Sequence, residues 1–459
     1  QGFPEGNFTR PSFANSYPEG GKPGYAENKN RNANFYLNGG YVYDGRYLLD
    51  VNLRSDGTSV FGANKRFSTT WSVGLAWNVH REKFMKDKAS FINVLKLRGS
   101  VGNPGNQNFS SYSAITTYYF NNWMLNNFGT GVLVSKFGDP NLAWQRTLDK
   151  NIGINLSMFS NRFHVTVDFY HKRTDPLIAD IGIPVSMGVE KRRTNIGVQV
   201  DKGVNGTIRY AILYKPQESI NYTMSVNFRY GTAFYKNIGR SLNAYNQENI
   251  SKNLTRYYDG GSPTALWAVR SRGIDPATGQ EIFVKKDGTL TYTFDYKDEV
   301  EVGDSRPTLE GVWGNTFYYK GWSASLQLRY SFGADVFNST LFNKVENISS
   351  RSITTNQDRR ALYNRWKKPG DKAKFKSISL TESTPMSSRF VMKENYLSIE
   401  SVRLGYQFDS KWLKKALRIS SLNINMYMNS IARFSTLEDE RGLYYPFARS
   451  ISFSLGAIL

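Results

Sequence analysis

The dominant feature of this chain is a two-residue alternation of apolar and polar side chains over windows of strand length. In residues 151–158, aliphatic side chains occupy every second position, and Asn, Gly and Ser occupy the positions between them. Such alternation is typical of a β-strand with one apolar and one polar face. The pattern recurs in the windows 71–79, 163–170, 324–332, 422–429 and 451–459. It predicts an all-β protein.

Residues 397–408 contain a change of phase in this alternation. Leu397 and Ile399 lie on one parity, whereas Val402 and Leu404 lie on the other. A β-bulge, which adds one residue to a strand, would return all four side chains to the same face. Along the chain there are ~14 alternating segments of about ten residues, the length with which a tilted strand crosses a bilayer. We therefore predict part of a transmembrane antiparallel β-barrel.

The spacers between the alternating segments are of two kinds. Ser160-Asn161-Arg162 and Lys320-Gly321 predict tight hairpin turns, whereas residues 103–150, 235–265 and 338–393 are long, polar and rich in aromatics. Short turns on one rim and long extracellular loops on the other are typical of outer-membrane barrels. Aromatic residues near the strand ends suit the two membrane interfaces, and these are Tyr41, Tyr43, Tyr47, Trp71, Trp77, Trp313, Tyr318, Tyr319 and Trp322. A large soluble all-β protein remains the alternative.

Composition separates the possible classes of membrane protein. The 459 residues have a mean hydropathy of −0.49, and no apolar run reaches the roughly 18 residues that a spanning helix needs. A membrane barrel is compatible with this value because only alternate residues of its strands face lipid. Cysteine is absent, and His80, His164 and His171 do not have the spacing of metal ligands. We predict no metal and no cofactor.

The net charge of +21 predicts a surface that attracts polyanions. Two basic clusters stand out, at residues 191–193 and 365–376. They suit lipopolysaccharide phosphates or an anionic substrate, and a solvated loop is the simpler interpretation. A nucleic-acid-binding fold is not recognisable, so nucleic acid is not a predicted partner.

No catalytic motif is present in the sequence. The nucleophile elbow, the phosphate-binding loop, the dinucleotide fingerprint and the zinc-protease motif are all missing. Carboxylates do cluster at residues 298–301 and 438–440, but these stretches read as solvated loops. We predict that the protein is not an enzyme.

Several segments resemble the SusC/RagA family of TonB-dependent transporters from Bacteroidetes outer membranes. The strongest match is the pair of segments 43–49 (YDGRYLL) and 54–62 (RSDGTSVFG). Further similar segments follow in the order found in the family, namely 95–102 (LKLRGSVG), 139–147 (DPNLAWQRT), 273–279 (GIDPATG) and 395–406 (NYLSIESVRLGY). The resemblance covers nearly the whole chain.

The resemblance implies a barrel of the plugged, roughly 22-stranded kind. Residues 1–459 would be the C-terminal portion of that barrel domain. The N-terminal plug and the first barrel strands are expected in another polypeptide or another part of the protein, because an open sheet leaves unpaired backbone groups in lipid.

The implied function is TonB-dependent import of large nutrients, either oligosaccharides or peptides, across the outer membrane of a Gram-negative bacterium. The implied partners are a SusD-like surface lipoprotein, TonB acting through the plug, the remaining N-terminal polypeptide, and outer-membrane lipid with lipopolysaccharide. Two other functions stay open at this point, a passive porin-like channel and a secreted or surface β-rich adhesin.

We interpret the residues of the family motifs as having structural roles. Asp56 and Gly57 predict a hairpin turn, because Gly tolerates turn conformations and Asp caps its own turn. Arg54, the following Phe61 and Gly62, and Trp144 belong to the same structural set.

Aromatic clusters in the long loops are the candidates for substrate binding. One cluster comprises Tyr118, Tyr119 and Trp123, and the other comprises Tyr257, Tyr258 and Trp267. Flat aromatic side chains can stack on the C–H faces of sugar rings, and concave aromatic sites suit small ligands. Packing within the loops, or a place in an interfacial aromatic belt, is the alternative interpretation.

Overall fold

The computed structural model describes residues 29–59, 63–86, 89–106, 114–126, 129–348, 354, 356–380, 382–416, 418–438 and 448–458. The strands are β1 (Asn32–Tyr43), β2 (Tyr47–Thr58), β3 (Phe67–Asn78), β4 (Ile92–Gly102), β5 (Gly105–Asn106), β6 (Thr117–Asn126), β7 (Gly129–Lys136), β8 (Gln145–Met158), β9 (Phe163–Thr174), β10 (Leu177–Gly182), β11 (Lys191–Ile196), β12 (Val198–Lys215), β13 (Ile220–Lys236), β14 (Ala265–Ile274), β15 (Glu281–Val284), β16 (Leu290–Thr291), β17 (Glu299–Asp304), β18 (Leu309–Tyr319), β19 (Trp322–Phe337), β20 (Val391–Phe408), β21 (Ser421–Ser435) and β22 (Ile451–Ile458).

Helices are short and lie outside the strands. The α-helices are α1 (Lys83–Lys86), α2 (Asn243–Glu248) and α3 (Lys411–Ala416), and Leu341–Glu346 forms a π-helical turn. The 3₁₀ turns are Ala63–Lys65, Val79–Arg81, Val185–Met187, Pro216–Glu218, Tyr296–Asp298, Arg359–Leu362 and Ser388–Phe390. In the part of the chain that the structure describes, none of these helices has the length and apolarity to cross a membrane.

One antiparallel 14-stranded sheet dominates the molecule. Its order is β1-β2-β3-β4-β8-β9-β12-β13-β18-β19-β20-β21-β22, and β5 pairs with β8 off this path. Sequential antiparallel neighbours make this an up-and-down meander, as in a barrel wall. Within the described residues, β1 and β22 each pair on one edge only, with β2 and β21 respectively.

The two faces of the sheet differ completely in chemistry. Residues directly opposite each other on neighbouring strands share a face. One row across the sheet consists of Tyr43, Tyr47, Trp77, Leu97, Ile154, Val167, Gly206, Phe228, Gly311, Tyr330, Leu397 and Phe434. A neighbouring row on the other face includes Arg98, Gly153, Asp168, Asn205, Arg229, Glu310 and Ser331. We call these the apolar face and the polar face.

The apolar face does not cover a hydrophobic core. Leu75 and Ile152, both on this face, are 60% and 67% exposed. The two clusters of buried apolar residues contain Trp144 and Phe390, and both lie in connecting segments beyond the strand ends. The alternating rows are therefore not the interior of a soluble sandwich. Their exposure is that of a surface facing lipid.

The predicted β-bulge is confirmed. The register of β20 against β21 shifts between Ile399 and Ser401, and the register of β19 against β20 shifts at the same level. As a result, Leu397 and Val402 both lie on the apolar face, opposite Phe434 and Met428.

All tight turns lie at one end of the sheet, as predicted. Phe159, Ser160 and Asn161 adopt left-handed backbone conformations in the β8–β9 turn, and Lys320-Gly321 does so between β18 and β19. Aromatic rings gather at this end, and their centroids lie 6.4 Å apart for Tyr43–Tyr47, 6.4 Å for Tyr47–Trp77, 6.1 Å for Phe91–Phe159 and 4.7 Å for Trp322–Tyr406. The arrangement matches an interfacial aromatic belt.

The long segments at the opposite end are more ordered than the sequence predicted. Residues 103–150 contain the β6–β7 hairpin, and the segment after β9 contains the β10–β11 hairpin. The segment between β13 and β18 folds into α2 and a small sheet in the order β16-β15-β14-β17. We call the connection of residues 237–308 the fourth outer loop and that of residues 338–390 the fifth outer loop.

Candidate functional site

A cavity of about 640 Å³ lies within the fourth outer loop. It is lined by Asn246, Gln247, Ile250, Arg256, Tyr258, Trp267, Lys286, Tyr296, Lys297, Glu299, Val300 and Glu301. We call it the aromatic cavity, because Tyr258 and Trp267 form one wall with their ring centroids 4.8 Å apart. Strand β14 contains Trp267, and the segment that precedes this strand contains Tyr258.

A buried ion pair forms the floor of this cavity. Arg256 donates to both carboxylate oxygens of Glu299, at 2.9 Å and 2.7 Å. The same guanidinium donates to the backbone carbonyls of Asn253 and Ile250, which fixes the loop around it. Burial raises the pKa of Glu299 and the Arg256 charge lowers it, with burial the larger influence. A buried charge pair of this kind is stable only because both partners are fully hydrogen-bonded.

The polar groups of the cavity wall differ in their burial. Among the described residues, the buried Trp267 Nε1 has no hydrogen-bond acceptor. Glu301 also lines the cavity, and its pKa is raised by burial and, to a smaller extent, by the charge of Asp304. The wall therefore combines two tilted aromatic rings with a carboxylate, a mixture that ligand pockets commonly show.

The predicted cluster of Tyr257, Tyr258 and Trp267 is only partly assembled. Tyr257 does not line the cavity, because its ring packs against Tyr235 and Tyr245 at centroid distances of 5.8 Å and 5.4 Å. Neighbouring residues in an extended segment point in opposite directions. Burial raises the pKa of the Tyr257 hydroxyl accordingly. Tyr258 and Trp267 line the cavity together with Tyr296, and substrate binding by the predicted residues stays a prediction.

The other predicted cluster lies on a separate hairpin. Tyr118 and Tyr119 are successive exposed residues of β6, which pairs only with β7 in the described chain. Successive strand residues face opposite sides, so the two rings do not make one platform. The backbone of Trp123 lies in β6, and its side chain falls outside the described residues. A binding role for these three stays a prediction.

The family-motif residues are placed inside the sheet. Asp56 and Gly57 lie within β2 and not in a hairpin turn, so that expectation was wrong. The strand continues because Gly57 pairs with Phe67, whose ring occupies the space above the missing Cβ. Arg54 Nε donates to the buried Asp56 carboxylate at 2.7 Å. Phe61 and Gly62 lie outside the described residues.

Trp144 is buried in the cluster that also contains Ala114 and Leu142. Its indole nitrogen donates to the carbonyl of Lys65 at 3.2 Å, which ties the chain before β8 to the connection between β2 and β3. This contact places Trp144 in the packing of the outer loops.

The first basic cluster is bound within the protein. Lys191, Arg192 and Arg193 pair with Glu248, Asp139 and Asp180 at 3.0, 3.0 and 2.8 Å. The Asp180 contact raises the pKa of Arg193. The three cations therefore join loops to one another, and polyanion binding is not their main contact.

The second basic cluster is divided between interior and surface. Arg365 and Lys376 are buried, and burial lowers the pKa of both. Arg365 donates to the carbonyls of Ala361, Lys376 and Val345, so it is a structural cross-link within the fifth outer loop. Spacing along the sequence gave no indication of this burial.

A second buried charge cluster joins the fourth and fifth outer loops. Arg389 pairs with Glu281 at 2.9 Å and with Glu346 at 2.6 Å. Ser387 donates to Glu281 at 2.5 Å, and Thr384 donates to Glu346 at 3.0 Å. Neither this cluster nor the Arg256–Glu299 pair is predicted by a local sequence pattern, because folding brings their partners together from distant positions.

Ion pairs also line the polar face of the sheet. Arg98 pairs with Asp168 at 2.6 Å, Lys172 pairs with Asp149 at 3.3 Å, and Arg229 lies 3.5 Å from Glu310. Several polar atoms here are buried without a hydrogen-bond partner in the described chain, namely Arg98 Nε, Asp149 Oδ1, Asn155 Oδ1 and Asp168 Oδ1. The ion-paired side chains of this face are partly exposed, so the face has the chemistry of a polar contact surface. Over the described ranges, no group of three metal-binding side chains is found.

Comparison with known proteins gives consistent results. The family model described as TonB dependent receptor-like, beta-barrel matches residues 2–427. TonB-dependent receptor P39 of Formosa agariphila is 27% identical, with 88% of this chain and 43% of the relative covered. TonB-dependent receptor SusC of Bacteroides thetaiotaomicron is 24% identical, with 90% and 42% covered. The chain thus spans less than half the length of these relatives.

Solved structures show the same architecture. The structure of the RagAB peptide transporter superposes with a TM-score of 0.77 at 20% identity, covering 89% of this chain and 44% of that chain. A structure of the RagAB peptide importer in its open-open state gives the same TM-score and coverage. At this level of identity the likeness concerns the fold.

Proposed function

Since the chain belongs to the TonB-dependent receptor-like β-barrel family, we propose that it forms wall, lumen lining and outer loops of an importer for large nutrients in the outer membrane. The observation that carries the proposal is the division of the sheet into an apolar face and a charged polar face. The apolar face contacts acyl chains, and the polar face lines a wet interior. In this role the protein binds and passes substrate and makes or breaks no covalent bond.

We infer that the chain is the C-terminal portion of the complete barrel domain. A barrel of about 22 strands, the plugged kind, needs about nine strands more than the meander supplies. The plug and the contact with TonB would lie in the remaining part of the protein. The charged and partly exposed side chains of Arg98 and Asp168 support contact between the polar face and such a plug.

A SusD-like surface lipoprotein is the proposed outer partner, on the basis of the resemblance to the SusC/RagA family. The substrate class is either oligosaccharide or peptide. The aromatic cavity is the proposed substrate contact, because the rings of Tyr258 and Trp267 lie beside hydrogen-bonding groups in its wall.

Uptake by cells tests the proposal. Cells that carry the intact protein are given fluorescently labelled oligosaccharides and peptides, with TonB present or deleted. We expect TonB deletion to abolish uptake and to leave surface binding in place. Uptake that persists without TonB would establish the passive-channel alternative. Release of the protein from membranes without detergent would establish the adhesin alternative.

Substitution of one aromatic tests the site itself. Trp267→Ala removes one of the two tilted rings of the cavity wall. We expect the KM for uptake to rise about two- to tenfold, as the energy of one aromatic contact implies. Trp412→Ala is the matched control, because Trp412 is an exposed tryptophan of α3 at the tight-turn end of the sheet. Equal uptake by the Trp267→Ala variant and the wild type would remove the aromatic cavity from the proposal.

A further inference from the structure

A second cavity, of about 670 Å³, lies where the fifth outer loop meets β14. It is lined by Gly273, Leu341, Arg360, Tyr363, Asn364, Ala373, Lys374, Phe375, Arg389, Phe390 and Met392. We call it the apolar cavity. Aromatic and aliphatic side chains dominate its wall, and concave apolar sites with a few polar groups are the usual form of small-ligand sites.

The wall of the apolar cavity is rigid. Phe375 and Phe390 belong to a buried cluster with Val345, and Leu341 packs against this cluster. The ring centroids of Phe342 and Phe390 lie 5.2 Å apart. The Arg389 guanidinium lies 4.5 Å from the Phe390 ring centroid and is held on its other side by Glu281 and Glu346. A wall fixed in this way loses little conformational entropy when a ligand binds.

The residues that line the apolar cavity carry a net positive charge. Among the described lining residues there are cations and no carboxylate. Arg389 is neutralised by Glu281 and Glu346, and Arg360 is neutralised by Asp358 and Glu438.

Lys374 is the lining cation that lacks a carboxylate partner within the described chain. The backbone of Lys374 is nevertheless held in place. Its backbone N–H donates to the carbonyl of Asn364 at 2.8 Å, and its backbone carbonyl accepts from the Arg389 guanidinium at 2.7 Å. The side chain therefore presents a free ammonium group beside an apolar wall.

We propose that the apolar cavity binds a small apolar carboxylate, with the hydrocarbon body against Phe390 and Met392 and the carboxylate on Lys374. The apolar body leaves water, and the exposed Lys374 ammonium group adds a charge-assisted contact to the carboxylate at the cavity edge. The C-terminal residue of a peptide and a short fatty acid share this chemistry. The site requires only folded outer loops, so it can be tested whether or not import occurs.

Fluorine NMR on the intact protein in nanodiscs tests the assignment with three probes. N-acetyl-4-fluorophenylalanine represents a peptide terminus, its carboxamide lacks the charge, and 8-fluorooctanoate represents a fatty acid. We expect the phenylalanine carboxylate to bind, and its carboxamide to bind about three- to tenfold more weakly, the factor that one charge-assisted contact implies. Tighter binding of octanoate than of the amino-acid probe would assign the site to fatty acids.

Three variants make the test specific. Lys374→Gln is expected to weaken binding of the carboxylate probe about three- to tenfold and to leave the affinity for the carboxamide unchanged. Ala373→Trp fills the cavity and is expected to abolish binding of every probe. Lys372→Gln is the matched control, since Lys372 is an exposed lysine two positions away that does not line the cavity. Equal affinity for acid and amide, or unchanged binding by Ala373→Trp, would overturn the proposal.

Discussion

In the sheet, Phe169 of β9 is 50% exposed, whereas Phe390 of the fifth outer loop is 1% exposed. Phe169 lies on the apolar face, against which the described part of the chain places no protein layer. Phe390 lies in a cluster with Val345 and Phe375. The sheet uses lipid as the apolar phase that covers its side chains, while the outer loops must build their own cores in water. The two regions therefore depend on different solvents.

Charges divide in the same way. The pairs of the polar face, such as Arg98–Asp168, are partly exposed on one side of the sheet. In the outer loops, Arg256 pairs with Glu299 where both are buried. A buried pair tolerates the loss of one partner poorly, because the other charge is left without compensation. The loops should thus be sensitive to single charge deletions, and the sheet should be sensitive to charges added on its apolar face.

Removal of the buried loop cation should have the largest effect. Arg256→Met leaves Glu299 buried and unpaired, which is expected to destabilise the fourth outer loop by about 3–5 kcal/mol. Hydrogen exchange should accelerate in residues 243–304 and stay unchanged in the sheet. The double variant Arg256→Met, Glu299→Leu should restore most of the protection, because no uncompensated charge remains. If β12 and β13 lose protection together with the loop, the two regions are not independent.

A charge on the apolar face should have the next largest effect. Ile152→Arg is expected to destabilise the protein in bilayers by about 2–4 kcal/mol, the range for Arg near the membrane midplane. Asn151→Arg is the matched control one residue away, on the polar face. Urea titration of the complete protein in lipid vesicles measures the free energy of unfolding of both variants. Equal destabilisation by the two variants would contradict the assignment of the faces.

A substitution that disturbs close packing on the polar face should have a smaller effect on stability. The Tyr170 hydroxyl lies 2.6 Å from the position of a Cβ at Gly203 and 2.5 Å from that of a Cβ at Gly231. Gly203→Ala is therefore expected to destabilise the sheet by about 1–3 kcal/mol in the same titration. Gly456→Ala should be neutral, because no atom of the described residues lies within 4 Å of its added Cβ.

The smallest effect concerns Glu301. Its pKa is raised in the folded loop, so the folded state holds the proton more tightly than the unfolded state, and stability falls as pH rises through that interval. Glu301→Gln should therefore slow limited proteolysis of the fourth outer loop at pH 7. Below about pH 4, the ordinary pKa of a glutamate, the variant and the wild type should be cleaved at equal rates. A difference in cleavage rate that persists at low pH would show that the substitution acts through packing and not through titration of the Glu301 carboxyl.

The sheet could be predicted from the sequence because its information is local. Period-two alternation gave the strands, the phase change near Ile399 gave the bulge, and the residues Ser160-Asn161 gave a turn. Aromatics predicted at strand ends, such as Tyr43, Tyr47 and Trp322, lie there. Trp71 and Trp313 do not, because they lie in the middle of β3 and β18. Each of these signals spans about ten residues or fewer, the length of one strand.

The outer loops could not be predicted in the same way. Arg256 and Glu299 are 43 positions apart, and Arg389 and Glu281 are 108 positions apart. Tyr257 and Tyr258 are adjacent, yet their rings enter different clusters. The turn assigned to Asp56-Gly57 failed for a related reason, because pairing of Gly57 with Phe67 overrides the local turn preference.

The position of these loops has a consequence for biogenesis. All of them lie at the end opposite the tight turns, so in an outer membrane they must be threaded across the bilayer before they reach the outside. A closed Arg256–Glu299 pair and the folded β14–β17 sheet are too bulky to pass in finished form. We therefore expect the loops to cross unfolded and to fold last, after β13 and β18 are in place. Pulsed hydrogen exchange during assembly should show strand amides protected first, and early protection of residues 265–304 would contradict this order.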